Sequence, residues 1–255
     1  MEPSERRVAV AGDDRAAALR DALASLPYRA AERSDADAIV AVGDDALREV
    51  LVEAPDAPVI PVGSRRLAVD ADDAERRVRA LLDAAVGGDE RGDDRPADGV
   101  QRTTHPILDV DAGSGESRRA ALDVALVTAE PARISEFAID FVGGSDATFR
   151  ADGVVVATPL GSDGYANAAG GPVVEPGGGL SVASIAPFST RTDAWVAAEG
   201  LSISVEREAE SVALVVDGRE REAVTPHRPV VIEAVDSVTL VTRSGARRAR
   251  RSETL

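Results

Sequence analysis

Between residues 6 and 86 the apolar residues keep changing their period, and that change restricts the fold more than any single motif does. "RRVAVA" (6–11), "ADAIVAVG" (36–43) and "APVIPVG" (57–63) are short apolar runs of strand length. Between and after them lie "DDRAAALRDALASL" (13–26), "DDALREVLVE" (44–53) and "DDAERRVRALLDAAVGG" (72–88), which have helical spacing. In the last of these Ala74, Val78, Leu81, Leu82 and Ala85 fall on one helical face, with acidic residues at its start, where the helix dipole favours them. Strand and helix in alternation predict a Rossmann-like, parallel α/β layer domain.

The polar stretch "GGDERGDDRPADG" (87–99) reads as a linker, and beyond it the period becomes two. "ISEFAIDFV" sets Phe137, Ile139 and Phe141 on one face against Glu136, Ala138 and Asp140 on the other. Further strand-like segments follow, with Asp-Gly turns expected at 152–153 and 217–218. The division expected is 1–97 for the α/β domain, 98–243 for a β-rich sandwich, and 244–255 for a basic tail, read as mobile or packed on the surface with an anion arm as the alternative.

Composition removes many chemistries. Cysteine is absent, and all 29 basic residues are arginine, so thiolate metal sites, a cysteine nucleophile, a phosphate-loop lysine and Schiff bases are excluded. Two histidines, His105 and His227, are too few for a histidine metal cage and read as structural; no metal-ligating residues are assigned. A net charge of −16 would repel nucleic acid and offers little to an anionic membrane. Abundant Asp and Glu without lysine suggest a cytoplasmic protein adapted to high salt, where a Debye length of about 3 Å screens the self-repulsion. No run approaches the roughly 18 apolar residues of a membrane span.

Two places can carry chemistry. In open α/β sheets ligands bind beyond the carboxyl ends of strands, and in "IVAVGDDAL" Gly43 would turn the chain and set Asp44 at such an end. The plainer reading is that Asp44 or Asp45 caps the following helix. The second place is "TPLGSDGYANAAGGP" (158–172), where a buried strand turns through Gly161 and Ser162 into what reads as two turns of helix, closed by Gly170, Gly171 and Pro172. Such a corner presents backbone N–H groups to an anion, or else packs tightly with no ligand.

"TPLGSDGYANAAGGPVV" resembles the signature of the NAD kinase family, Thr-Pro-Thr-Gly-Ser-Thr-Ala-Tyr running on to Ala-Gly-Gly-Pro. "SIAPFSTR" (184–191) is similar to that family's Ile-Ala-Pro-His-Ser segment, and "VVDGRE" to its later Asp-Gly hairpin. Gly43 and Asp44 stand where the family carries Gly-Asp within Gly-Gly-Asp-Gly-Thr. The resemblance implies an N-terminal α/β domain followed by a β-rich domain of the NAD kinase type. It also implies that Asp44 acts on the 2′-hydroxyl of the adenosine ribose of NAD, which attacks the γ-phosphate of ATP or the end of polyphosphate, with Mg2+ or another divalent cation. Carried over residue by residue, it assigns nucleotide contacts to Gly43, Asp45, Asp123, Thr158, Gly161, Ser162, Asp163, Gly164, Tyr165 and Ala168. It implies a homo-oligomer, dimer or tetramer, whose sites neighbouring subunits complete, with Asp217-Gly218 near one such contact.

The chain departs from that pattern at its polar contacts. Asp45 and Ala46 replace the family's second Gly-Thr, Asp123 and Val124 its Asn-Glu pair, and Asp163, Gly164 and Ala168 a Thr, an Ala and a Ser. Two other readings therefore stand beside NAD kinase: a dinucleotide sensor without transfer activity, and a kinase for another hydroxyl substrate.

Overall fold

The computed structural model describes residues 6–87, 99–130, 134–189, 194–207 and 211–243. The first elements are β1 (Arg6–Ala11), α1 (Ala17–Ala24), β2 (Tyr28–Ala30), β3 (Ala38–Val42), α2 (Asp44–Val52), β4 (Val59–Val62) and α3 (Ala71–Val86). Then come β5 (Val100–Asp111), β6 (Ser117–Ala120), β7 (Asp123–Thr128), β8 (Ser135–Phe141), β9 (Asp146–Ala151), β10 (Gly153–Ala157) and α4 (Tyr165–Ala168). The chain continues through β11 (Leu180–Ile185), β12 (Ala194–Ala197), β13 (Gly200–Arg207), β14 (Val212–Val216), β15 (Arg219–Ala223) and β16 (Val230–Arg243). It divides into two compact units, one holding the residues up to Thr104 with those from Val238 on, the other His105–Ser237.

The first unit is an α/β layer. Its strands run in the order β2, β1, β3, β4 and the end of β16, all parallel, with Val42 opposite Val62 and Leu240 opposite Val59. Every residue of β3 is buried, as a strand of an internal parallel sheet requires. Ala74, Val78, Leu81, Leu82 and Ala85 are the buried face of α3, which the helical spacing predicts. Asp70 caps that helix, its carboxylate accepting the Asp72 N–H at 3.1 Å.

The second unit is a β-rich sandwich of antiparallel pairs. One layer contains β13, β8 and β9 with the start of β16 and the β5–β6 hairpin; the other runs β12, β11, β10, β7, β14, β15. Phe137 and Ile139, on the face the alternation marks as apolar, are fully buried in the core with Val154, Val156, Val182 and Leu214. Asp217 and Gly218, at φ 49° and 74°, form the two-residue turn between β14 and β15, which requires positive φ at both positions.

Several expectations change. The run 98–243 divides, and its last residues complete the parallel sheet of the first unit. The helix read at 13–26 is a 3-10 turn at Asp14–Ala16 followed by α1, and the short edge strand β2 follows it. Asp152-Gly153 is not a hairpin turn: β9 pairs with β8, whereas β10 pairs with β7 and β11, so the chain passes there from one layer to the other. Gly153 serves close approach instead, since a Cβ on it would lie 2.4 Å from the carbonyl oxygen of Leu126. The helix after Ser162 is one turn of four residues, not two. The linker 88–98 and the tail 244–255 lie outside the described residues.

Candidate active site

In the first unit β3 ends at Val42 and the chain turns through Gly43 at φ 87°, a conformation that suits glycine. Gly43 N donates to the carbonyl of Val62 at 2.9 Å, tying this corner to the end of β4. Gly43 is itself the residue before α2, and neither Asp44 nor Asp45 caps the helix from outside it. Asp44 instead lies in the first turn, its carboxylate 41% exposed, with Oδ2 2.8 Å from Nη2 of Arg65. The Asp45 carboxylate bonds Arg48 Nη2 at 2.9 Å and is 82% exposed, so its charge is paired along the helix surface.

In the second unit the segment after β10 separates into a buried part and an exposed part. Thr158 is fully buried; its Oγ1 donates toward the carbonyls of Ala121 and Leu122, at 2.9 and 3.1 Å, and accepts from Gly161 N. Ser162 is also fully buried, donating to the carbonyl of Pro159 at 2.9 Å and accepting Val174 N at 3.0 Å. A Cβ on Gly161 would lie 2.1 Å from the Leu122 carbonyl oxygen. Thr158, Gly161 and Ser162 thus shape the loop, while Gly164, Tyr165 and Ala168 are exposed and Asp163 is half-buried. One helical turn has little dipole to offer, so whatever this segment binds meets a loop surface.

A buried polar knot sets where that loop leaves the sheet. Asp217 accepts from three successive backbone N–H groups, Ala121 at 2.9 Å, Leu122 at 2.7 Å and Asp123 at 3.1 Å. His105 Nε2 lies 2.8 Å from the Ala121 carbonyl, and burial depresses its pKa to about 4. Asp123 begins β7 opposite Ala157, so it stands beside the departing loop. Burial, and then the carboxylates of Asp123 and Asp152, raise the pKa of the Tyr165 hydroxyl. The Asp217 carboxylate, expected near a subunit contact, is turned inward on its own chain and 94–96 residues along from its partners.

Residues 123–243 match the family model of the ATP-NAD kinase C-terminal domain. That match covers a little under half of the chain and lies in its second domain. An NAD kinase from Methanospirillum hungatei is 38% identical over 109 residues, 42% of this chain and 40% of that protein. A bifunctional NADP phosphatase/NAD kinase from Methanocaldococcus jannaschii is 28% identical over 204 residues, 78% of this chain and 34% of that protein. The chain spans about two fifths of the length of the curated relatives it matches. An NAD kinase from Archaeoglobus fulgidus, solved in complex with ATP, superposes with a TM-score of 0.67 at 23% identity over 93% of both chains. The yeast NADH kinase solved with NADH gives 0.71 at 15% identity, over 95% of this chain and 84% of that one. These two likenesses extend the NAD kinase fold over both units.

Against the NAD kinase pattern, Val124 is fully buried in the sandwich core, so that position offers a ligand no polar group. Phe188, standing where the family segment has His, is 72% exposed. His105 is structural as expected, while His227 is at the surface with Nδ1 3.5 Å from Glu206. Arg65, Asp217 and His105 carry the local geometry; the sequence reading names His105 and the Asp217-Gly218 turn but not Arg65. For Arg65 a signal existed: "SRR" directly follows a strand at the carboxyl edge of a parallel sheet. For Asp217 the resemblance drew attention to a surface hairpin and away from its buried carboxylate.

Proposed function

We propose that this chain phosphorylates the 2′-hydroxyl of the adenosine ribose of NAD to give NADP, with ATP or polyphosphate as donor. One observation carries the reading. Asp44, 41% exposed and paired with Arg65, stands just past the carboxyl end of a parallel strand in a chain whose residues 123–243 match the ATP-NAD kinase C-terminal domain. The ribose oxygen attacks the terminal phosphorus, the bond from that phosphorus to the bridging oxygen breaks, and the nucleoside diphosphate or shortened polyphosphate leaves. Asp44 takes the proton that the hydroxyl sheds.

Among the described residues no group of three carboxylates and histidines is gathered to hold a metal ion. The divalent cation is therefore assigned to the donor's phosphates, a mode that magnesium commonly uses, and there it would draw off phosphate charge. The exposed part of 163–168, with Asp123 beside it, is the proposed dinucleotide surface in the second unit. Association into a dimer or tetramer, a cytoplasmic location and a salty habitat belong to the same reading; a melting temperature that fails to rise with KCl counts against the habitat.

The buried Val124 favours a second reading, a family member that binds a dinucleotide without transfer chemistry. The deciding assay is NADP formation by the purified chain in molar KCl with magnesium, NAD and either donor. Turnover lost in Asp44→Asn supports the kinase. Tight calorimetric binding of NAD without turnover supports the sensor, and turnover only with a different hydroxyl acceptor moves the assignment to another kinase.

A further inference from the structure

We propose that Arg65 is a positioning residue for Asp44: it holds one carboxylate oxygen so that the group keeps a fixed direction while the other oxygen receives the proton. The proposal rests on reading Asp44 as the general base. Both residues leave the sheet at the carboxyl ends of neighbouring parallel strands, Asp44 after β3 and Arg65 after β4. Gly43 N donates to Val62 O at 2.9 Å, joining the corner after β3 to the end of β4, and Gly63 N donates to Val69 O at 2.9 Å, pinning the corner after β4 to the segment beyond Arg65. The ion pair across them is 2.8 Å long.

Burial is unequal within the pair. The Arg65 side chain is 15% exposed and the Asp44 side chain 41%. A guanidinium largely withdrawn from water is a fixed fork, whereas an aspartate in the first turn of a surface helix has rotamers to choose from. The neighbouring acid shows the contrast: Asp45 pairs with Arg48 on its own helix, and its carboxylate stays 82% exposed. An ion pair with one partner so exposed adds little to stability, so the chemical consequence of this one is orientation. A base misplaced by about 1 Å loses on the order of a hundredfold in rate.

The test is steady-state NAD phosphorylation by the full chain carrying Arg65→Ala, Arg65→Lys, Asp44→Asn or the Arg65→Ala/Asp44→Asn pair, with folding checked by circular dichroism. Arg65→Ala is expected to lower kcat about tenfold to a hundredfold at unchanged KM for NAD and donor. Added guanidinium should restore part of that loss at constant ionic strength. Arg65→Lys should lie between the wild type and Arg65→Ala and keeps the test open if the alanine variant does not fold. The double variant should be no slower than Asp44→Asn alone. Wild-type kcat in folded Arg65→Ala, or a raised donor KM at unchanged kcat, overturns the proposal while leaving Asp44 as base. Full activity in Asp44→Asn, or an inactive wild type, overturns the reading of Asp44 and this proposal with it.

Discussion

His105 and Thr158 share one acceptor, the carbonyl of Ala121, with Nε2 of the histidine 2.8 Å from it and Oγ1 of the threonine 2.9 Å. A carbonyl only accepts, so the neutral ring of His105 carries its proton on Nε2. The N–H of the same residue, Ala121, donates to Asp217. One peptide segment therefore joins the histidine, the hairpin aspartate and the loop that opens at Thr158.

Burial holds the pKa of His105 at about 4 against an ordinary value of 6.5. The unfolded chain binds this proton first as pH falls, so stability is unaffected above pH 6.5 and declines from there down to pH 4. The loss is about 3 kcal/mol over that window. His105→Gln keeps a donor for the Ala121 carbonyl and should show a flatter dependence of unfolding free energy on pH in urea titrations. Identical pH slopes in the two proteins would remove this account.

Asp217→Ala leaves three N–H groups without their carboxylate and should cost about 3 kcal/mol or more. Asp217→Asn tolerates the positive φ of the turn but sets an amide donor against a backbone donor, at a cost of at least about 1 kcal/mol. Denaturant midpoints should fall in the order wild type, Asp217→Asn, Asp217→Ala; an unchanged midpoint in the alanine variant contradicts the knot.

Gly161→Ala would place a Cβ 2.1 Å from the Leu122 carbonyl oxygen, and the backbone must shift to admit it. The expected loss is about 1–3 kcal/mol. Gly143→Ala meets nothing within 4 Å and should change stability by less than about 0.5 kcal/mol. Thermal melts of both variants check the contrast.

Tyr165 is 45% exposed, so Tyr165→Ala should leave the melting temperature nearly unchanged. If its ring packs on a dinucleotide, affinity for NAD falls about fivefold, equivalent to about 1 kcal/mol. Calorimetry on the folded variant measures this, and wild-type affinity would assign Tyr165 to the scaffold alone.

The elements of the first unit were legible because burial there is periodic: the stripe from Ala74 to Ala85 is both the sequence pattern and the buried face of α3. The Asp217-Gly218 hairpin was legible for a local reason as well, since two adjacent positive φ values select for such residues. Asp152-Gly153 has the same letters and a different use. There the demand for glycine comes from Leu126, a neighbour only in the folded sheet.

Thr158 and Ser162 stand in a motif whose hydroxyls read as ligand contacts, yet both hydroxyls bond their own backbone in the buried loop. The sequence by itself determined the α/β layer, the β-rich domain after it and the place of the 158–172 segment, because period, turn chemistry and motif order act over a few residues. Tertiary structure alone decided which motif residues reach the surface, that Arg65 holds Asp44, and that Asp217 anchors residues 121–123. These contacts join segments distant along the chain, and such contacts impose no spacing that a linear sequence can display.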